Sequence, residues 1–274
     1  MRPYRVMGIV NVTPDSFSDG GRFLDPDAAL AQCRALVAEG ADILDVGGES
    51  TRPGAKPVGV EEELLRVLPV LERVEAAALG ASVSIDTSKA AVARAAIAAG
   101  ASIVNDVSAL RADPEMAGVL AASGVECCLM HMLGEPRTMQ RDPHYGDVVD
   151  EVKGFLQERL RFAVAAGIAE ERIVLDPGIG FGKTAEHNLE LLRRLDELLS
   201  LGRPLLIGTS RKSFLGALGA AAHGRSEPLE PARRLPGTLA TCVLALERGA
   251  RIFRVHDVAA VSEALAVAGA TLRI

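Results

Sequence analysis

No stretch of the 274 residues keeps up the run of roughly 18 uncharged apolar residues that a membrane-crossing helix needs, so a transmembrane helix is excluded. A basic excess is missing too. Thirty Lys and Arg are outnumbered by 36 Asp and Glu, whereas a general nucleic-acid binder shows a basic face. The four cysteines make no C-x-x-C pair. Cys33 and Cys242 fall in helical patterns and Cys127-Cys128 in an apolar run, so buried free thiols in a reducing compartment are expected. The opening Met1-Arg-Pro-Tyr-Arg-Val has no signal-peptide apolar region, which adds to the expectation of a cytoplasmic protein without membrane or nucleic-acid partners. Side-chain amides are scarce: asparagine occurs only at Asn11, Asn105 and Asn188, glutamine only at Gln32, Gln140 and Gln157. Few thermolabile amides fit a heat-adapted protein, and a GC-rich genome accounts equally well for the accompanying arginine excess.

Hydrophobic residues make up 49% of the chain, enough for a large core. Eight short apolar runs read as strands: Arg5 to Val10, Ile43 to Val46, Val83 to Ile85, Ser102 to Val104, Val125 to Met130, Arg172 to Leu175, Leu205 to Ile207 and Ile252 to Val255. Helical patterns lie between them. Leu64, Leu68, Leu71 and Val74 form one apolar stripe, and Leu189, Leu192, Leu195 and Leu198 form another. A doubly wound open sheet reads similarly, but the count of eight favours a (β/α)8 barrel. No composition break divides the chain, so a single domain over residues 1–274 is expected. Two connections exceed the usual βα length of about 2 to 6 residues, Asn11 to Asp25 and Gly47 to Gly59, and both read as long mobile lids over a site. Residues 219–237, with Pro228, Pro231 and Pro236, read as an excursion inside the seventh unit.

Each apolar run breaks off into polar residues. These are Asn11, Gly47-Gly-Glu-Ser-Thr-Arg52, Asp86, Asn105-Asp106, His131, Asp176, Thr209-Ser-Arg-Lys212 and Arg254-Val-His256. In a parallel barrel the carboxyl ends of the strands share one rim, so these clusters converge. Arg254 and His256, two apart on a strand, point to the same side and suit a multiply charged anion. A structural ion pair of Arg254 with Asp257 or another carboxylate is the alternative. Pro177-Gly-Ile-Gly-Phe-Gly-Lys-Thr184 is not a P-loop, because Pro177 stands where the first glycine belongs, and Lys183 is expected to face solvent. Asp86, Asn105 and Asp176 offer carboxylates and an amide to a flat, nitrogen-rich heterocycle. Asp86 could equally cap the helix that follows it.

Met7-Gly-Ile-Val-Asn-Val-Thr-Pro-Asp-Ser-Phe-Ser-Asp-Gly-Gly21 and Asp45-Val-Gly-Gly-Glu-Ser-Thr-Arg-Pro-Gly54 resemble the two signature segments of the dihydropteroate synthase family. The resemblance continues in order through Ser84-Ile-Asp-Thr87, Asn105-Asp-Val107, Met130-His-Met132, Asp176-Pro-Gly178, Gly208-Thr-Ser-Arg-Lys-Ser213 and Arg254-Val-His-Asp-Val258. It implies a (β/α)8 barrel in which 4-aminobenzoate displaces diphosphate from (7,8-dihydropterin-6-yl)methyl diphosphate, giving 7,8-dihydropteroate. It further implies a homodimer, small-molecule substrates and Mg2+, with Asn11 at the metal site. Asp86, Asn105, Asp176, Lys212, Met130, Phe181 and Gly208 would line the pterin pocket. Phe17, Thr51, Arg52, Pro53 and Ser213 would hold aminobenzoate, and Asn11, Arg52, Arg254 and His256 the diphosphate. Asp19, Arg52, Asp86 and Lys212 would take part in the chemistry. The rival readings are a pterin-dependent methyltransferase, a non-catalytic pterin-binding paralogue and a Schiff-base aldolase using Lys212.

Overall fold

A computed structural model describes residues 3–13, 25–51, 55–135 and 137–273. Eight parallel strands run in the order β6-β5-β4-β3-β2-β1-β8-β7. They are β1 (Arg5–Asn11), β2 (Ile43–Gly47), β3 (Ser82–Asp86), β4 (Ile103–Asp106), β5 (Glu126–Met130), β6 (Ile173–Asp176), β7 (Leu206–Ile207) and β8 (Ile252–Val255). A parallel bridge between Leu175 and Leu205 joins β6 to the run into β7 and closes the ring. The expected (β/α)8 barrel is therefore the fold. Four of the strands end one residue later than their apolar runs, at Asn11, Gly47, Asp86 or Asp176 in register with a neighbour, and β4 extends two residues to Asp106, so several rim residues are themselves ladder members.

The connecting helices are α1 (Pro26–Ala38), α2 (Val60–Ala77), α3 (Ala90–Ala98), α4 (Met116–Ser123), α5 (Val148–Ala165), α6 (Ala185–Arg193), α7 (Ser213–Ala221), α8 (Leu235–Glu247) and α9 (Val258–Leu272). The apolar stripe of α2 is rotated from the expected one: Val67, Val70, Leu71 and Val74 are buried, while Leu64 and Leu68 sit at its margin. The second leucine stripe is not one helix. α6 ends at Arg193, and Leu195–Leu201 is a 3-10 helix whose three-residue turn stacks the buried Leu195, Leu198 and Leu201. An i, i+3 leucine repeat is the spacing that a 3-10 helix, not an α-helix, places on one line.

Strand alternation produces two cores. Residues such as Val6, Leu44, Val104, Leu129, Leu175, Ile207 and Phe253 face outward and pack with the helices. Met7, Ile43, Ile103, Cys128, Val174, Leu206 and Ile252, one from each of seven strands, make a separate apolar cluster inside the barrel. All four cysteines are buried. Burial pushes the thiols up, Cys33 to about 11 and Cys127 to about 12, which keeps them protonated and inert.

The excursion in the seventh unit is ordered. α7 includes Gly219, and the return is tied down where Leu229 N–H donates to Gly216 O at 3.0 Å and Arg234 Nη1 donates to Arg211 O at 2.8 Å. Pro236 opens α8, where its missing N–H costs nothing. An open groove of about 460 Å³ around Arg225, Pro228 and Arg233 lies here, and no rim residue lines it.

Candidate active site

Two residues beyond each member of the apolar floor, the same inward period brings up Ile9, Asp45, Asn105, Met130, Asp176, Gly208 and Arg254, with Ser84 and Asp86 supplied by β3. Apart from Ile9, Met130 and Gly208, this second layer is polar. A closed ring with an apolar floor and a charged mouth is thus built by a two-residue step along each strand.

Arg254 is the centre of that layer. Its Nε donates to Asp45 Oδ2 at 2.6 Å and its Nη2 to Asp86 Oδ2 at 2.7 Å. Asp45, 0% exposed, also accepts from Ser84 Oγ at 2.6 Å and from Asn105 Nδ2 at 3.3 Å. Burial pulls the Arg254 guanidinium down, but Asp45 and Asp86 outweigh it and raise it above the ordinary arginine range. Burial pushes the Asp86 carboxyl up to about 7; Arg254 works against this, and the nearby carboxylates of Asp45, Glu63 and Asp106 work with it. Asp86 is not a helix cap. Its partner is Arg254, and the first turn of α3 is met instead by Asp113, which accepts from Ala90 N–H at 2.8 Å. The ion pair expected as the alternative for Arg254 does form, with Asp45 and Asp86 and not with Asp257, which pairs with Arg211.

On the opposite side, Asp176 Oδ1 accepts from Gly178 N–H at 2.7 Å, and burial raises its carboxyl against the pull of Lys212. Lys212 Nζ donates to Ile179 O and lies 4.5 Å from the centroid of the Phe181 ring, a cation–π contact. Burial lowers its ammonium to about 8. Phe181 packs against Val107, Met130, Met132 and Met139, an aliphatic and thioether wall beside the charged groups. Asp86, Asn105 and Asp176, grouped from sequence for a heterocycle, and Lys212, Met130, Phe181 and Gly208, which the resemblance adds to them, all lie at this one end of the barrel.

His256 follows β8, and its Nδ1 is 2.9 Å from Ser210 Oγ, which itself accepts the His256 backbone N–H at 3.1 Å. The two contacts hold the ring beside the rim, and a serine hydrogen donated to Nδ1 would leave Nε2 as the proton-bearing donor. Ser213, exposed, opens α7, and Thr51, half-buried, ends the second described segment. Asn11, half-buried, closes β1 opposite Gly47, and its side chain has no hydrogen-bond partner among the described residues. Phe17, Asp19, Arg52 and Pro53 lie outside the described residues.

Two expectations are corrected by the alternation of strand faces and by the glycine-rich turn. His131 follows inward Met130 and turns outward, 5% exposed, edge-on to Phe155 with ring centroids 4.9 Å apart. Lys183 does not face solvent. It is 3% exposed, with Nζ 2.8 Å from His131 Nδ1, 3.0 Å from Gly178 O and 3.0 Å from Phe181 O. Burial first, then Lys183 and Arg111, hold the His131 imidazole down at about 2, so it serves as a neutral acceptor. The turn fits because Gly178 has φ +67° and a Cβ there would stand 1.8 Å from His131 O. Asn188, 2% exposed, completes it by accepting Gly180 N–H at 2.6 Å.

Asp45 was missed in the sequence as a site residue. The available signal was a carboxylate inside a four-residue apolar strand, which a barrel buries only with partners.

Comparison with known proteins identifies the family and the fold. Residues 7–256 match the pterin binding enzyme family. The chain is 51% identical to a dihydropteroate synthase of Mycobacterium leprae over 274 residues, covering 99% of this chain and 95% of that one. A solved Xanthomonas albilineans dihydropteroate synthase with 4-aminobenzoic acid superposes with a TM-score of 0.90 at 50% identity, covering 99% of this chain and 94% of that one. The same enzyme in complex with 7,8-dihydropteroate gives 0.86 at 47% identity over 99% and 94%.

Proposed function

The chain belongs to the pterin-binding enzyme family, and from that premise we propose how the mouth of its barrel does its work. The activity is that of a dihydropteroate synthase in folate biosynthesis, joining 4-aminobenzoate to a pterinylmethyl diphosphate with loss of diphosphate. The observation that carries the assignment of roles is the polar layer itself: carboxylates, an amide and an arginine from five strands above one apolar floor.

Asp86, Asn105 and Asp176 take the donor and acceptor edge of the pterin, with Asp176 on its guanidine-like side, Lys212 beside it and Phe181 and Met130 against the ring face. Arg254 and the Nε2–H of His256 receive the diphosphate. An arylamine nitrogen is already neutral near pH 7, so the hard step is expulsion of diphosphate, and cationic donors placed where its charge grows lower that barrier. We assign Thr51, Arg52, Pro53, Phe17 and Ser213 to aminobenzoate, Arg52 also to diphosphate, and Asp19 to shielding the developing pterinylmethyl cation.

Asn11 suits Mg2+. Its amide oxygen is a hard donor with no partner among the described residues, and no cluster of three His, Cys, Asp or Glu among them offers an alternative protein cage. One protein ligand with phosphate oxygens is a common arrangement for this ion, which would neutralise the leaving group when bound. A cytoplasmic homodimer is part of the same reading; no described helix is long and apolar enough to cross a membrane.

Purified protein supplied with the pterin diphosphate, 4-aminobenzoate and Mg2+ should release pyrophosphate and form dihydropteroate; a folded protein that turns over neither substrate overturns the reading. The titrating groups add a pH signature. Pterin binding uses Asp86 as carboxylate, gained above about 7, and Lys212 as ammonium, lost above about 8. The profile of kcat/KM for the pterin diphosphate should therefore peak between those values. Lys212→Arg should move the alkaline limb upward and leave the acid limb in place; an unmoved alkaline limb would assign that titration elsewhere.

A further inference from the structure

We propose that Asp45, fully buried within the polar layer of the mouth, is a positioning residue that sets the pterin and diphosphate subsites together. The inference rests on the assignment of Asn105 to the pterin and Arg254 to the diphosphate.

Asp45 is in contact with a member of each half. Its Oδ2 receives Asn105 Nδ2 at 3.3 Å and Arg254 Nε at 2.6 Å, while its Oδ1 receives Ser84 Oγ at 2.6 Å. Three donors on one carboxylate of 0% exposure leave it no other orientation. The consequence for Asn105 is a choice of face. With Nδ2 drawn down to Asp45, the amide oxygen is turned to the mouth as an acceptor for a ring N–H. The consequence for Arg254 is a choice of rotation. With Nε fixed below and Nη2 on Asp86 at 2.7 Å, Nη1 has no protein partner among the described residues and is left for an incoming oxygen. Asp45 itself is covered, at 0% exposure, and acts on the substrate only through these partners. The strand register makes the arrangement possible, since Asp45 stands beside Ser84 on β3 and two residues beyond the floor residue Ile43.

The test is Asp45→Asn, which keeps shape and removes charge. Removing a buried negative charge would by itself favour an anionic substrate, so orientation and charge act with opposite signs on binding. Wild-type protein is assayed first, and absence of turnover there defeats the functional reading, not this one. Given an active wild type, Asp45→Asn should raise the KM for the pterin diphosphate at least tenfold and leave the KM for 4-aminobenzoate within twofold. An unchanged or lowered pterin diphosphate KM overturns the proposal, as does an equal rise in both. A local readout accompanies it: the Arg254 Nε–H resonance, identified by its loss in Arg254→Lys, should be slow to exchange in wild type and broaden or vanish in Asp45→Asn. Should Asp45→Asn fail to fold, Ser84→Ala keeps every charge and loosens only the Oδ1 tether. It should raise the pterin diphosphate KM severalfold with aminobenzoate unaffected, and a wild-type KM in that variant overturns the proposal.

Discussion

Arg254→Ala should lower kcat/KM for the pterin diphosphate by about 10³-fold, at the upper end of what loss of one charge-stabilising donor costs. Binding of a free pterin should fall far less, because Asp176, Asn105, Lys212 and the Phe181 wall are untouched by the substitution. The remaining loss has a pH signature. Arg254 is what restrains the Asp86 carboxyl, so without it Asp86 titrates still higher and free-pterin binding should recover as the pH is raised. The variant should also be less stable, by roughly 3 to 5 kcal/mol in denaturant titrations, since the fully buried Asp45 loses its countercharge. Parallel titrations with free pterin and pyrophosphate decide the matter. Equal losses for both would make Arg254 a structural ion-pair partner alone.

Lys183→Met should be the most damaging change away from the substrate. Nζ is the shared partner of Gly178 O, Phe181 O and His131 Nδ1, and methionine fills its volume while leaving all three acceptors dry. At about 1 to 3 kcal/mol for each unsatisfied buried group, a loss of several kcal/mol follows, equivalent to a fall in Tm of roughly 10 °C. The turn between Gly178 and Lys183 also carries Ile179 O and Phe181, the two contacts of the Lys212 ammonium. Its collapse should therefore raise the KM for the pterin diphosphate at a temperature where the variant is still folded. Calorimetry and steady-state kinetics check the two effects separately, and a wild-type Tm would return Lys183 to the surface role its sequence suggests.

The strands were legible because each is short, apolar and ended by polar residues; a doubly wound open sheet reads the same way, and the count of eight is what favoured the barrel. The rim was legible for the same reason: Asp86, Asn105, Asp176 and Arg254 stand where apolar runs stop. What could not be read was the face taken by the last residues of each run. Met130 and His131 are adjacent, yet one lines the mouth and the other joins Phe155 behind the sheet, and only the register of β5 with β6 decides between them. Asp45 was hidden because its neighbours are apolar and its partners lie on β3, β4 and β8, distant in sequence. Lys183 looked exposed because a lysine after a glycine-rich turn usually is; two of its three acceptors are carbonyls, to which side-chain patterns give no clue. The three asparagines show the converse. In a chain so poor in amides, Asn11 ends β1, Asn105 lies in the polar layer and Asn188 fastens the glycine-rich turn.

The ring of strands is not equally fastened all the way round. β7 has two residues, and a lone bridge from Leu175 to Leu205 joins its approach to β6, while β1 and β2 share five registered pairs. Asp176 stands on one bank of that seam and Lys212 on the other. A ligand gripped by both acts as a clasp across the weakest joint, so that filling the mouth and keeping the cylinder shut become one equilibrium. Ligand bound between Asp176 and Lys212 would oppose local opening of that seam by mass action on the closed ring.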